Sequence, residues 1–366
     1  MPTPGESERY HRLQLVLSLA GFALGIVYLL AILGSGAAAA LAAAAATVTG
    51  AWWGRVAIVA AGVSAGQSVL AFPLRWVRGF WLPRRFGLLH QGLASWLFDR
   101  AKAAALGTVL GLGGVLVIYG LLGATRWWWL IAAAVFFVVG IALAALFPVL
   151  IVPLFYRLTP LADPELTATL LALARRAGVA VVSVWVVDES RKSRTANAAV
   201  VGLGRTRRII LYDTLATGFR REEVEAVLAH ELGHHVHGDL RRGLLVQGAR
   251  TLVTFWLAGR LMEAGVGLWG LAGPADPAGL PWLALVLLGI GALQLPLANG
   301  FSRWIERQAD DFALSLTGDP AAFIGAMERL GELNLAERRP HRLKELLLYS
   351  HPALDRRIAR ARGEAV

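Results

Sequence analysis

The sequence predicts a mainly α-helical polytopic membrane protein, with six to seven transmembrane helices and a small α+β domain set among them. Three observations predict it. Of 366 residues, 56% are hydrophobic and only 17% are charged, against about 25% charged in a soluble domain. The apolar residues gather in runs close to the roughly 20 residues that cross a bilayer as a helix. Between the fourth and fifth runs the pattern turns globular, and there it contains His230-Glu231-Leu232-Gly233-His234.

The runs cover residues 13–33, 56–77, 103–122, 127–151, 244–271 and 281–301, which makes six spans. Residues 36–50 are almost pure alanine and short for a span. They form either a thin seventh span or an extension of a neighbour. Residues 13–33 do not read as a cleaved signal peptide, being long and lacking a small-residue cleavage site before a soluble domain. Trp127, Trp128 and Trp129 open a span after a short loop, where aromatic rings anchor a helix at the membrane interface.

In the globular stretch, Asp163 caps a helix, Pro164 takes its first position and Gly178 ends it. Residues 181–187 and 209–212 are apolar and β-branched and read as strands, with a further strand over 197–204. The HExxH helix spans 221–237, with Glu222, Glu223 and Glu225 in its first turns. The chain therefore divides into N-terminal transmembrane helices (1–152), a catalytic region with the HExxH helix (153–242), a transmembrane hairpin (243–301) and a C-terminal helical part (302–366).

The net charge of +11 is not that of a nucleic-acid face. Arginines concentrate in residues 75–102, in the central polar region and in the tail, while the connections at 123–126 and 272–279 carry one and none. That alternation follows the positive-inside rule and turns the central region and the C-terminus toward the cytoplasm. No aromatic-basic interleaving points to nucleic acid. Cysteine is absent, which leaves histidine and carboxylates as metal ligands and excludes disulfides.

On a helix, residues i and i+4 share a face, so His230 and His234 can offer two imidazoles to one ion, with Glu231 beside them as a base for a water. A surface helix with two solvated histidines could carry the same letters. Two features argue for a metal: the preceding strand-containing region, and a downstream acidic pair, Glu306 and Asp310, also four apart. A catalytic zinc needs three protein ligands and an open position. His230, His234 and Glu306 make that count, and Asp310 could fix the tautomer of a ligating histidine. His235 is rotated about 100° from His234, and His237 is a poorer third ligand than a carboxylate.

These residues resemble the membrane-embedded zinc peptidases of the CAAX prenyl protease 1 type, in peptidase family M48. The resemblance is carried by HELGH together with Phe86-Gly87-Leu88, the stretch from Trp96 through Asp99 to Lys102, and Pro148 to Phe155 followed by Thr159-Pro160-Leu161. It continues through Ser190 to Ala198, Ile209 to Leu215, Glu306 to Asp310, and Ser350-His351-Pro352 with Arg357. It runs in collinear order over residues 70–360. Departures are Leu89 in place of the family's Asn, Asp355-Arg356-Arg357-Ile358 in place of its Glu-Arg-Leu, and a short region between the first two spans.

The resemblance implies a gluzincin-type zinc peptidase domain with one Zn²⁺ per chain on His230, His234 and Glu306, and Glu231 as general base. It implies that Asn197 and Ala198 lie on an edge strand beside the substrate backbone, and that His351 and Arg357 return to the active site, His351 either as a donor to the oxyanion or in a purely structural role. It also implies a peptide or protein substrate, CAAX-like or lipidated. Apart from Lys102, Lys192 and Lys344 the basic residues are all arginine, which reads as the codon bias of a GC-rich genome and points to a bacterial inner membrane. Two other functions fit the same sequence: an HtpX-like quality-control protease, and a membrane scaffold or transporter with a metal site. Few charges in the spans argue against a transport path. Oligomeric state is open.

Overall fold

The computed structural model describes residues 4–202 and 204–364. The helical part opens with α1 (Pro4–Gly34), α2 (Ala37–Val48) and α3 (Trp52–Trp76). The alanine segment is thus a helix of its own. Its 12 residues reach about 18 Å, well short of the roughly 30 Å hydrocarbon core, and it packs on α3 with Ala45 fully buried. A short α4 (Leu82–Arg85) precedes α5 (Leu93–Ala124) and α6 (Trp128–Leu146). Among the described residues, five helices are long and apolar enough to cross a membrane: Gly5–Gly34, Trp52–Arg85, Leu93–Ala124, Trp128–Phe155 and Pro277–Thr317.

The α6 helix continues through a widened π-helical turn, Phe147–Ile151, into α7 (Val152–Phe155). Pro148 and Pro153 remove amide donors there, which is where helices take up such turns. The chain then forms β1 (Leu158–Pro160), α8 (Pro164–Arg176), β2 (Ser183–Val187), β3 (Ala198–Val201) and β4 (Arg208–Tyr212). As expected, Asp163 caps α8, its carboxylate accepting from Leu166 N at 2.9 Å. The sheet order is β1-β2-β4-β3. Strands β2 and β4 are parallel, with Val184 opposite Ile209. β3 runs antiparallel to β4, with Ala198 opposite Leu211. β1 was not expected from the sequence: three residues are too few to show a period. Leu203, in the expected third strand, lies outside the described residues.

After α9 (Asp213–Gly218) come α10 (Arg221–Val236), which bears HELGH, α11 (Asp239–Trp269) and α12 (Leu280–Thr317). α11 supplies a further span. It carries more charge than the other five, and Arg250 is met there by Gln294 on α12 at 3.2 Å. α12 is continuous for 38 residues, so the apolar segment at 281–301 and the acidic pair Glu306 and Asp310 share one helix. The chain closes with α13 (Pro320–Leu333), α14 (Arg342–Leu348) and α15 (Leu354–Ala361).

Two cores result. One lies among the spans, around Val59, Ala132, Ala258 and Met262. Ala45, Ala60, Ala132, Ala133 and Ala258 sit there among larger side chains such as Trp128, Phe255, Leu283 and Ile290; small residues let helix backbones approach where lipid gives helices no hydrophobic drive to associate. The other, around Leu170, Ile209, Leu228, Leu232 and Phe323, packs α8, α10 and α13 on the sheet. A polar clamp joins the two parts. Asp99 on α5 accepts from Lys192 at 2.5 Å, from Lys102 at 2.7 Å and from Gln91 at 2.7 Å. The amides of His90 and Gln91 both donate to the Lys192 carbonyl.

α10 meets α12 closely at Gly233. A Cβ there would stand 3.1 Å from Ala309 Cα and 3.3 Å from Ala309 O, and backbone atoms cannot swing aside. Gly233→Ala is therefore expected to cost about 1–3 kcal/mol through overpacking, read as a lower unfolding midpoint of the detergent-solubilised protein. Lys192→Met should cost about 2–3 kcal/mol in the same measurement. That is less than the roughly 3–5 kcal/mol of an abandoned buried charge, because Lys102 and Gln91 stay on Asp99.

Candidate metal centre

The local sequence sets α10 firmly at both ends. Glu223 at its third position accepts from the Arg220 amide at 2.9 Å, closing the first turn. At the other end Gly238 adopts φ 68°, a left-handed conformation that costs glycine little. The chain turns there, and Asp239, the first residue of α11, faces back toward His234.

The turn has a chemical consequence. His234 Nδ1 lies 3.0 Å from Asp239 Oδ2, and His230 Nδ1 lies 2.8 Å from Asp310 Oδ1. Each imidazole donates its Nδ1–H to a carboxylate, so each keeps a lone pair on Nε2. Those two atoms face one carboxylate: His230 Nε2 is 3.3 Å from Glu306 Oε2, and His234 Nε2 is 3.7 Å from Glu306 Oε1. The ligand atoms of His230, His234 and Glu306 lie within 4.8 Å of one another. Glu306 Oε2 is buried and accepts no hydrogen bond from any described residue. Ligands at the usual zinc distances of about 2.0–2.1 Å in a tetrahedron stand about 3.4 Å apart. The two imidazole–carboxylate separations, 3.3 and 3.7 Å, lie close to that spacing, and two lone pairs with a carboxylate fit a divalent cation of the zinc type.

Electrostatics agree with this fit. Burial opposes charge on His230, yet the hydrogen bond to Asp310 and the nearby Glu306 overcome it and raise its pKa to about 9. The triad therefore attracts positive charge at its centre. Burial pushes the Glu231 carboxyl above its ordinary value, against the opposing pull of His230 and His234, which makes it a better proton acceptor than a solvated glutamate.

Arg357 comes from α15 to hold Asp310 with two donors, Nε at 2.8 Å and a terminal nitrogen at 2.6 Å. His351 stands on the cavity side, its Nε2 3.3 Å from Glu306 Oε1 and its side chain largely exposed. A cavity of about 350 Å³ contains His230, Glu231, Glu306, His351, Asn197 and Arg357 in its walls. Ala198 follows Asn197 as the first residue of β3, which lies at the sheet edge. His235 points elsewhere, to the Val200 carbonyl at 3.1 Å, and His237 packs on Phe312. Sequence reasoning missed Asp239. Its signal was a glycine followed by an acid five residues after the second histidine. His11 of α1 was also missed. It reaches this cavity, 2.7 Å from the Leu335 carbonyl, through a contact that no local pattern announces.

The fold and this site define a class, membrane-embedded metallopeptidases. Residues 160–365 match the model of peptidase family M48, and residues 5–157 match the CAAX prenyl protease N-terminal model, described as five membrane helices. The chain belongs to peptidase family M48 and is a multi-pass zinc metalloprotease. It is similar to "Uncharacterized metalloprotease YhfN" of Bacillus subtilis, 29% identical over 81% of this chain and 71% of that protein. It is also similar to a CAAX prenyl protease 1 homolog of Arabidopsis thaliana, 29% identical over 83% and 72%. Among solved structures, the crystal structure of S. mikatae Ste24p shares the fold, with a TM-score of 0.83 at 24% identity over 97% of this chain and 87% of that chain.

Removing either imidazole-holding carboxylate tests the site. Asp310→Asn and Asp239→Asn are each expected to weaken zinc affinity by roughly 10–100-fold, read by competition against a chromophoric chelator.

Proposed function

We propose that this chain holds one Zn²⁺ on His230, His234 and Glu306 and hydrolyses peptide bonds of CAAX-like or other membrane-associated proteins at the cytoplasmic face of a bacterial inner membrane. The observation that carries the reading is the pair of Nδ1-anchored imidazoles turned onto one buried carboxylate, whose Oε2 has no hydrogen-bond partner among the described residues. When bound, the ion supplies Lewis-acid polarisation of the attacking water and the scissile carbonyl.

The protein's own groups do the rest. Glu231 takes a proton from the water as its oxygen bonds to the carbonyl carbon. It returns that proton to the amine nitrogen as the C–N bond breaks. His351 Nε2 donates to the carbonyl oxygen as charge develops on it. Asp310 and Asp239 keep the two ligating rings in the correct tautomer, and Arg357 holds Asp310 in place. Asn197 and Ala198, at the start of the edge strand, receive an extended substrate by strand addition. Asn197 also borders a second, apolar cavity of about 940 Å³ between α6 and β3, a volume suited to an apolar or lipidated substrate group. The clustering of arginines around the globular region supports the cytoplasmic orientation.

Glu231→Gln is expected to retain stoichiometric zinc by elemental analysis and to lose about 10²–10⁴-fold in peptide cleavage. The wild type should lose cleavage with 1,10-phenanthroline and regain it with zinc. A zinc-free wild type, or a Gln variant that cleaves at the wild-type rate, sinks the mechanism. Turnover of a farnesylated CAAX peptide separates the substrate classes: cleavage of unfolded membrane protein with no turnover of that peptide would assign the quality-control role instead.

A further inference from the structure

Behind the metal centre, on the far side of Arg357 and Pro352, lies another cavity of about 590 Å³ that the chemistry above does not use. Six guanidinium groups line it, those of Arg303, Arg307, Arg342, Arg356, Arg357 and Arg360, against two carboxylates, Asp310 and Glu345. The carboxylates are already committed. Asp310 is taken by Arg357 and His230, and Glu345 by Arg356 at 3.2 Å and by the Ala353 amide at 3.0 Å. Arg303 donates to the carbonyls of Glu345 and Tyr349, and Arg360 grips Asp311 outside the cavity. Arg307 and Arg342, both exposed, make no hydrogen bond or ion pair with any described residue. So many guanidinium groups around one concavity repel one another, and their forked donors match phosphate oxygens.

The surroundings say where such a phosphate comes from. The cavity sits where α12 leaves its apolar section, since Asn299 and Arg303 hold α14 at that level through the carbonyls of Leu347, Glu345 and Tyr349. α14 is short, and its leucines face outward: Leu343 is 57% and Leu346 54% exposed, with Leu347 and Leu348 also exposed. Exposed leucines beside unpaired arginines, at the end of a membrane-crossing helix, form the two-part arrangement that takes up an acyl boundary and its anionic headgroups together. We propose that this cavity is a binding site for the phosphodiester headgroup of an anionic phospholipid, with Arg307 and Arg342 as its entrance and the α14 leucines in the acyl region.

The test uses the full chain in detergent, equilibrated with phosphatidylglycerol and phosphatidylcholine of the same acyl composition, with retained lipid counted by native mass spectrometry. The wild type should retain phosphatidylglycerol in preference to phosphatidylcholine. Arg307→Gln/Arg342→Gln should bind it on the order of tenfold or more weakly, with its lipid-free unfolding midpoint unchanged. The control pair Arg55→Gln/Arg126→Gln, remote from the cavity, should behave as wild type. No preference in the wild type, or equal losses in both double variants, overturns the site. In a separate arm without phosphatidylglycerol, inorganic phosphate should leave the unfolding midpoint unchanged. A rise that the Arg307/Arg342 pair abolishes would assign the cavity to free phosphate and overturn the lipid.

Discussion

The contact between α10 and α12 is the constraint on which the rest of the structure depends. His230 and Asp310 are 80 residues apart in sequence, yet their side chains must meet within hydrogen-bond distance. Gly233 and Ala309 let the two helix backbones approach closely enough for that. Closing a loop of this length costs entropy, though the cost grows only slowly with length. The intervening chain is mostly two long helices and is already ordered by packing. A cation at the crossing would tie the peptidase region to the helix that also crosses the membrane. Zinc held there would couple binding to folding, as in other proteins whose ligands come from distant segments.

The two parts of the molecule follow different packing rules and are joined by polar contacts. Among the spans, close packing of large side chains such as Trp128, Phe255 and Met262 around alanines provides cohesion. In the peptidase region, burial of leucine, isoleucine and phenylalanine does so. Asp99, Lys192, Lys102 and Gln91 bridge them, and the loop that presents Lys192 runs on into Asn197 and β3. The edge strand beside the active-site cavity is thus registered to α5 as well as to the sheet.

Arginine serves three purposes here. Arg357 is used on a carboxylate that orients a histidine and Arg303 on carbonyls that place α14, while Arg307 and Arg342 have no side-chain partner among the described residues. Guanidinium suits all three because it stays charged when buried and donates in a planar fork.

Much of this was legible in the sequence because it is encoded locally. Hydropathy over some 20 residues marks a span whatever its neighbours are. The i, i+4 spacing places His230 with His234 and Glu306 with Asp310 on shared helix faces, and Asp163 before Pro164 announces a helix start. Several features could be decided only by tertiary structure. These are that α2 is too short to cross a bilayer, that α12 runs unbroken from lipid to the metal site, and that Asp239 answers His234 across a left-handed glycine. The tertiary structure also decided that Asp99 closes on Lys192 and that arginines from α12, α14 and α15 converge on one cavity. Each of these depends on the distance between segments remote in sequence. Periodicity reports which way a side chain faces along its own helix and carries no information about what stands opposite.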